Sequence, residues 1–326
     1  VVIEWDNVRL SELDRARRML AGLAAQAADV RQAPAWASPA EAAFLAGLAL
    51  PIEALVTFDS EEFSEAELRG VVEACLPADS GAIALHFVPV PGGRYYALKN
   101  TGAAASRGDL VVFLDSDAVP EPGWLQALLA GFADADTRVI GGNTYIEPAG
   151  VYGKTFALTW FFPLRTADGP LEPARYFLAN NVAFRRRTFL PAGFDLEDGL
   201  SKGACRRLGE RLLGAGVAIH RAPRARCSHP PPNGARHFVE RAIAQGRDNT
   251  LTPTGKRVTL GGSVRRLGRH QRSAVRQLLR RRHEVGLSAA EVPVGLAISG
   301  TYYALYFAGE VMSHVAPTWM RRHFQL

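Results

Sequence analysis

The chain has 326 residues, of which 48% are hydrophobic and 21% are charged, and its formal net charge is +6. This composition is ordinary for a globular protein and excludes an intrinsically disordered chain. The length favours one large domain with an extension over two equal domains. The three cysteines lie far apart and form no CxxC pair, which argues against a disulfide framework or a structural zinc site and favours a reducing compartment.

The first 145 residues alternate between predicted strands and predicted helices. Apolar and β-branched runs predict strands at 1–5, 53–58, 83–90 and 109–117. Apolar residues at helical spacing predict helices between them, at 10–28, 64–76 and 97–108. The fourth strand is apolar throughout its interior, as expected when both faces of a sheet are covered. We therefore predict an α/β fold, with a mainly parallel sheet and helices on both faces.

The chain after the fourth predicted strand is less regular. A helix at 123–134 and a strand at 137–148 are followed by an aromatic segment at 150–190 that we predict to be irregular. The stretch HPPPNG at 229–234 cannot continue a helix or a central strand. We therefore predict a domain at 1–229 and a helical, basic region at 230–326.

Asp115 and Asp117 end the fourth predicted strand, directly after the residues VVFL. Alternate side chains of a strand point the same way, so both carboxylates could bind one cation, Mn²⁺ or Mg²⁺, or one could bind the metal while the other binds sugar or ribose. In parallel sheets ligands bind at this end of the strands. We expect the strand end to be exposed. The alternative is that the two aspartates only solubilise it and cap the following turn.

The surrounding segment, RYYALKNTGAAASRGDLVVFLDSDAVPEPGWLQAL at 94–128, resembles the family 2 glycosyltransferases of the GT-A fold, which is Rossmann-like. That family has a basic residue and Asn, a helix of small residues, a Gly-acid-apolar strand that ends in DxD, and then Pro and a helix beginning near Trp-Leu. The matching residues are Lys99, Asn100, Gly102, Gly108, Asp109, Asp115, Asp117, Pro120, Trp124 and Leu125.

The resemblance implies a metal-dependent, inverting transfer of a sugar from a UDP- or GDP-sugar to a lipid-linked or polysaccharide acceptor. It also implies that Asp59 contacts the nucleotide base and that Asp115, Lys99 and Asn100 lie at the nucleotide-sugar. Lys99 and Arg94 could each meet phosphate charge. His229 follows a short predicted strand and could complete the metal ligands or contact the diphosphate, or be an ordinary loop histidine.

The sequence departs from the family at three positions. After the second strand the family has a paired Asp, where this chain has Phe58-Asp59. The first strand ends Glu4-Trp5-Asp6-Asn7 instead of Pro-Thr-Tyr-Asn, and the family's Glu-Asp pair aligns with Ala204-Cys205. A nearby acidic pair, Glu197-Asp198, precedes that position. Asp198 or Glu197 could accept the proton of the acceptor hydroxyl. The alternative for this pair is a solvated acidic loop.

The C-terminal region is basic and then apolar. Residues 256–283 contain ten Lys or Arg and no Asp or Glu, and 264–283 predict an amphipathic helix suited to an anionic membrane. Residues 292–309 carry no charge but are a mediocre membrane span, so an interfacial or buried helix is an alternative. We predict attachment through 256–309 to the inner face of a membrane, with the catalytic domain in the cytoplasm and no secretory signal.

Nucleic acid is not a predicted partner, because the basic segment has no interleaved aromatic residues for base stacking. Trp160, Phe161 and Phe162 could form the wall of an acceptor pocket or simply belong to the core. Two other functions stay open. The motif FLDSDAV also fits haloacid-dehalogenase-like phosphohydrolases, with Asp115 as nucleophile and Asp117 as acid/base. The substituted Glu-Asp pair would also fit a degenerate transferase domain that acts as a binding or partner module.

Overall fold

The computed structural model describes residues 1–76, 81–196, 203–250 and 259–323. The chain forms two compact units. The sheet unit comprises Val1–Thr144, Arg165–Asp195 and Cys205–His229, and the helical unit comprises Tyr145–Leu164, Leu196–Ala204 and Pro230–Leu326. One division falls after His229, where the proline run predicts a boundary, but two earlier segments also belong to the helical unit.

The described strands form one nine-stranded sheet in the order β3-β2-β1-β4-β8-β6-β9-β5, with β7 on β9. The strands are β1 (Val2–Glu4), β2 (Ile52–Phe58), β3 (Ile83–Pro89), β4 (Leu110–Asp115), β5 (Val119–Pro120), β6 (Val139–Ile146), β7 (Glu172–Ala174), β8 (Asn181–Arg185) and β9 (Ile219–His229). Strands β1 to β4 are parallel. The pairs β4–β8, β6–β8, β5–β9 and β7–β9 are antiparallel. The predicted α/β fold is confirmed, and the sheet is mixed because the regular strand-helix alternation ends after β4.

Twelve α-helices are described. They are α1 (Leu13–Asp29), α2 (Pro39–Ala46), α3 (Glu65–Glu73), α4 (Tyr95–Ala105), α5 (Trp124–Ala130), α6 (Gly150–Thr159), α7 (Arg186–Ala192), α8 (Ala204–Gly214), α9 (Gly234–Thr250), α10 (Leu260–Arg280), α11 (Val292–Val315) and α12 (Pro317–His323). Helix α6 lies in the aromatic segment predicted to be irregular. Its residues from 155 to 159 are all buried, so packing stabilises a helix that the sequence pattern alone does not indicate.

Strand β4 shows why helices cover both faces of the sheet. Val112 and Leu114 belong to the core cluster that also contains residues of α1 and α5. Phe113 points to the opposite face, where its ring centroid lies 4.8 Å from that of Phe189 in α7. On this face α4 lies so close to β1 that a Cβ at Gly102 would be 2.5 Å from Cγ1 of Val2. The small residues of α4 therefore permit the tight packing that brings the helix to the strand ends.

Helix α11 packs inside the helical unit. A Cβ at Gly246 of α9 would lie 2.0 Å from the carbonyl oxygen of Tyr306, and a Cβ at Gly309 would lie 2.2 Å from that of Ile243. The backbones of α9 and α11 therefore touch, with Tyr302 and Tyr306 buried. Among the helices that the structure describes, none has both the length and the apolarity needed to cross a bilayer.

Candidate active site

Three acidic residues meet at the carboxyl edge of the parallel strands. Glu4 ends β1 and is in register with Asp115 of β4 on one side and with Thr57 of β2 on the other. Asp59 directly follows β2. The sequence predicts Asp59 and Asp115 at this edge. Glu4 was noted only as a departure from the family pattern, and it is fully buried beside Asp115.

Asp115 is held inside the protein by three donors. Its Oδ1 accepts a hydrogen bond from Nζ of Lys99 at 2.6 Å, and its Oδ2 accepts bonds from the Tyr95 hydroxyl at 2.9 Å and from Nδ2 of Asn7 at 3.0 Å. Lys99 has no exposed surface. This arrangement does not support the prediction that Lys99 meets a phosphate, because the Lys99 charge neutralises a buried carboxylate instead.

Asn7 and Tyr95 complete this buried cluster. The Asn7 amide nitrogen also donates to Oε1 of Glu4 at 2.8 Å, so one NH₂ group with two donors bridges two carboxylates. Burial, followed by the negative charge of Asp115, raises the pKa of Tyr95 well above its usual value. The Tyr95 hydroxyl therefore stays protonated and available as a donor across the physiological pH range.

Asp117 and His229 come together although 112 positions separate them in the sequence. The chain after Asp117 forms β5, whose Val119 is in register with Ser228 of β9, and His229 ends β9. Nε2 of His229 lies 3.5 Å from Oδ2 of Asp117. The side chains are not on an exposed strand end as expected, since Asp117 is 4% exposed and His229 is 7% exposed.

Arg15 of helix α1 binds the backbone of Asp117 and of Ser228, the residue before His229. Its Nε donates to the carbonyl oxygen of Asp117 at 2.6 Å, and its Nη2 donates to the carbonyl oxygen of Ser228 at 2.7 Å. Arg15 is 7% exposed. It was missed in the sequence analysis, but a signal exists: Arg15 precedes Met19 and Leu23 at a spacing of four residues, which places it on the buried stripe of an amphipathic helix.

Asp117 and His229 are the residues that fit a divalent metal. A carboxylate oxygen and an imidazole nitrogen are ordinary ligands of first-row divalent ions, and the remaining positions can be taken by phosphate oxygens and water. Of the two arrangements predicted for Asp115 and Asp117, the structure favours the one in which Asp117 binds the metal and Asp115 binds sugar or ribose, because Lys99, Tyr95 and Asn7 already orient Asp115. Within residues 1–76, 81–196, 203–250 and 259–323, no group of three His, Cys, Asp or Glu side chains forms a metal site.

Asp59 and Arg94 lie on the loops beside this edge. Oδ1 of Asp59 accepts hydrogen bonds from the backbone N–H of Gly92 at 2.8 Å and of Glu61 at 3.0 Å, so it ties the end of β2 to the loop after β3. Arg94 has an exposed side chain and donates to Oε1 of Glu62 at 3.0 Å. Of the two basic residues predicted to meet phosphate, Arg94 is the one that solvent and ligands can reach.

Asn100 holds the segment that leads to the predicted catalytic base. Its Nδ2 donates to the Phe194 carbonyl oxygen at 2.8 Å, and its Oδ1 accepts from the Phe194 N–H at 2.9 Å. Both the nitrogen and the oxygen of the Asn100 side chain therefore bind the backbone of Phe194. Glu197 and Asp198 lie outside the described residues. Ala204 and Cys205 stand at the position of the family's acidic pair, and neither provides a carboxylate. Ala204 is fully buried.

Replacing Asn100 with alanine tests this positioning role. We expect the turnover number to fall about 10- to 100-fold, because a displacement of about 1 Å in a reacting group can lower the rate by that factor. The affinity for the nucleotide should change less than twofold, which equilibrium binding will measure. A matched change, Gln126→Ala, also removes an amide that binds backbone, and it should leave turnover unchanged. Equal losses of turnover in both variants would contradict the role.

Comparison with known families supplies the next observation. Residues 85–192, from β3 through α7, match the family model described as glycosyl transferase family 2. Over this segment the chain is similar to family 2 glycosyltransferases. The match includes Lys99, Asn100, Asp115 and Asp117, and it confirms the resemblance that the sequence predicts.

Two curated relatives extend the similarity beyond this segment. The pre-mycofactocin glycosyltransferases of two strains of Mycobacterium tuberculosis, CDC 1551 / Oshkosh and ATCC 25618 / H37Rv, are each 27% identical to this chain over 155 residues. The alignment covers 46% of this chain and 33% of each relative. The chain therefore matches about a third of the length of these curated relatives.

Two solved structures are also similar. A mannosyltransferase from Pyrobaculum calidifontis in complex with GDP-Man and Mn²⁺ gives a TM-score of 0.48 at 14% identity, covering 94% of this chain and 99% of that one. GalNAc-T7 with UDP, GalNAc and Mn²⁺ gives a TM-score of 0.42 at 12% identity, covering 81% of this chain and 52% of that one.

Proposed function

We propose that this chain is a metal-dependent glycosyltransferase that moves a sugar from a nucleoside-diphosphate donor to an acceptor hydroxyl. One observation carries the proposal: Asp117 and His229 meet at the carboxyl edge of the parallel strands, next to Asp115. This edge is where α/β sheets bind their ligands, and Asp115 and Asp117 lie within the segment matched by the family model.

Asp117 and His229 would hold the divalent metal, which supplies positive charge to the departing diphosphate. The imidazole nitrogen favours Mn²⁺ over Mg²⁺, because Mg²⁺ prefers oxygen ligands. Asp115 has a different role in this proposal. A carboxylate offers about four acceptor positions, so Asp115, oriented by Lys99 and Tyr95, can accept a further hydrogen bond from a sugar or ribose hydroxyl. Asp59 would contact the nucleotide base, and Arg94 would meet its phosphates.

Inversion at the anomeric carbon requires a base on the acceptor side. We propose Asp198 or Glu197 for this role, with Asn100 holding the chain that precedes them. A phosphohydrolase that uses Asp115 as its nucleophile receives less support, because Lys99, Tyr95 and Asn7 hold both carboxylate oxygens in the buried cluster.

We further propose that helix α10 binds the anionic inner face of a membrane and that the acceptor is lipid-linked. Leu260, Val264, Val275 and Leu279 are exposed apolar residues on this helix. Leu278 is fully buried, so this apolar residue of the helix packs inside the protein and does not face outward. Five exposed arginines lie among the apolar residues, and each could contribute about 1 kcal/mol near an anionic surface; they are Arg265, Arg269, Arg272, Arg276 and Arg280.

Flotation with lipid vesicles tests the membrane proposal. The wild-type protein should float with vesicles that contain anionic lipid and remain unbound with neutral vesicles, since charge drives the contact. Changing all five exposed arginines of α10 to glutamine should abolish flotation. Val239→Ser, which alters an exposed apolar residue on α9, is the matched control and should float like the wild type. Equal flotation of the five-fold variant and the control would refute the proposal.

Turnover tests the enzymatic proposal. Purified protein with membranes should release UDP or GDP from a matching nucleotide-sugar, and a chelator should stop the release. Metal-dependent nucleotide binding without any turnover would support the degenerate-module alternative. Hydrolysis of a simple phosphomonoester, without metal-dependent binding of a nucleoside diphosphate, would support the phosphohydrolase.

A further inference from the structure

The helical unit contains a buried arginine, Arg241, that has no anionic partner among the described residues. Arg241 of α9 is 6% exposed, and its guanidinium carbon lies 5.6 Å from the ring centroid of Trp160. Within the part of the chain that the structure describes, no carboxylate forms an ion pair with it. The acidic residues nearest to it along α9 are used elsewhere, since Glu240 pairs with Arg236 and Asp248 pairs with Arg247.

A desolvated charge without a counter-ion is unfavourable, and buried charges in proteins are generally paired. The contact with Trp160 offsets only part of this cost, because a cation–π contact is weaker than an ion pair. Tyr302 lies beside the same indole, with its ring centroid 6.3 Å from that of Trp160. Among the described residues, the Arg241 guanidinium therefore lacks the anion that would balance its charge.

Gln245 supplies a second donor on the same face of α9, one helical turn from Arg241. Its Oε1 accepts hydrogen bonds from the Tyr302 hydroxyl at 2.7 Å and from the Trp160 indole N–H at 3.3 Å. The indole also donates to the Tyr302 hydroxyl at 3.0 Å. These bonds fix the orientation of the Gln245 amide, and its nitrogen makes no hydrogen bond to any described residue.

We propose that Arg241 and Gln245, walled by Trp160 and Tyr302, bind a phosphate group of a substrate. The planar guanidinium matches phosphate oxygens with two parallel hydrogen bonds, and the surrounding rings offer apolar surface beside them. The choice of phosphate rests on the proposed function, in which the donor carries a diphosphate, and we take the lipid-linked acceptor to be joined to its lipid through phosphate. The group belongs either to the lipid-linked acceptor or to the diphosphate of the donor.

Binding measurements with defined probes distinguish these sources. A polyprenyl phosphate in detergent micelles is compared with the corresponding polyprenol, and UDP and GDP are measured separately with Mn²⁺. Wild-type protein should bind the polyprenyl phosphate at least about tenfold more tightly than the polyprenol, and Arg241→Gln should remove this preference. If Arg241→Gln weakens nucleotide binding about tenfold instead, the phosphate is that of the donor. Affinities that change less than twofold for both probes overturn the proposal.

Two further variants separate a binding role from a structural one. Arg236→Gln alters an exposed arginine on the same helix and should leave every affinity unchanged. Arg241→Met should have a Tm equal to or above that of the wild type, because it removes an unpaired buried charge. Arg241 would be a structural residue if Arg241→Met had a lower Tm than the wild type and Arg241→Gln bound phosphate with unchanged affinity. None of these measurements requires turnover. If the protein binds phosphate through Arg241 but has no transferase activity, the proposed function is refuted and the phosphate site is not.

Discussion

Replacing Asp117 with asparagine is expected to reduce sugar transfer about a thousand-fold and to abolish metal-dependent binding of nucleoside diphosphates. The substitution keeps the shape of the side chain but removes the negative charge beside His229. A catalytic metal contributes several kcal/mol of charge stabilisation, and each 1.4 kcal/mol changes a rate tenfold. Turnover of donor and titration of UDP or GDP with and without Mn²⁺ will measure both effects.

The control for this prediction is Asp14→Asn, which removes a carboxylate whose side chain is 80% exposed on α1. This control should bind nucleotide and metal like the wild type. Asp117 is almost fully buried, so the circular dichroism and Tm of Asp117→Asn must be compared with those of the wild type. Unchanged metal-dependent binding in a folded Asp117→Asn variant would refute the assignment of Asp117 as a metal ligand.

Replacing Lys99 with methionine is expected to lower the free energy of unfolding by about 3–5 kcal/mol. Lys99 is fully buried, and its Nζ lies 2.6 Å from Oδ1 of the equally buried Asp115. The variant leaves Asp115 with an uncompensated charge in a region from which water is excluded. Urea denaturation of the wild type and the variant will measure the loss.

Lys154→Met is the matched control, because Lys154 pairs with Glu291 at 3.4 Å where both side chains are partly exposed. Such a pair contributes at most about 1 kcal/mol. The double change Lys99→Met with Asp115→Asn should recover part of the stability lost in the single variant, since no buried charge remains unpaired. A loss below about 1 kcal/mol for Lys99→Met would show that Asp115 does not depend on Lys99.

The sequence predicts the part of the fold in which local pattern and topology agree. Apolar runs separated by amphipathic helices identify β1 to β4, and the ends of parallel strands necessarily meet at one edge, so Asp59 and Asp115 are found correctly at that edge. The helix predicted at 97–108 is also found, as α4. These features depend on periodicities that a single sequence displays.

The contacts within the site depend on pairings that no local pattern reveals. Asp117 and His229 are each predicted as metal ligands, but their convergence without Asp115 follows from the antiparallel pairing of β5 with β9. Asn7 and Tyr95 join the site because neighbouring elements bring them to Asp115. Lys99 is predicted to meet a phosphate from its charge alone, because the sequence does not reveal that Asp115 is its buried partner.

The same limit applies to helix α10. Its composition predicts an amphipathic helix, but two of its sides carry apolar residues. Packing within the helical unit buries Leu278 and leaves Leu279 exposed. Only the neighbouring helices determine which of these sides faces inward. The outward side, with its arginines, is the surface that the flotation experiment tests.

The central claim is that Asp117 and His229 together hold the metal that binds the donor diphosphate. The most direct measurement is a crystal structure of the protein with Mn²⁺ and UDP or GDP, in which anomalous scattering locates the manganese. The account predicts a single strong peak bonded to a carboxylate oxygen of Asp117, to Nε2 of His229 and to the diphosphate. A nucleotide bound with manganese elsewhere, or with neither side chain contacting it, would contradict the account.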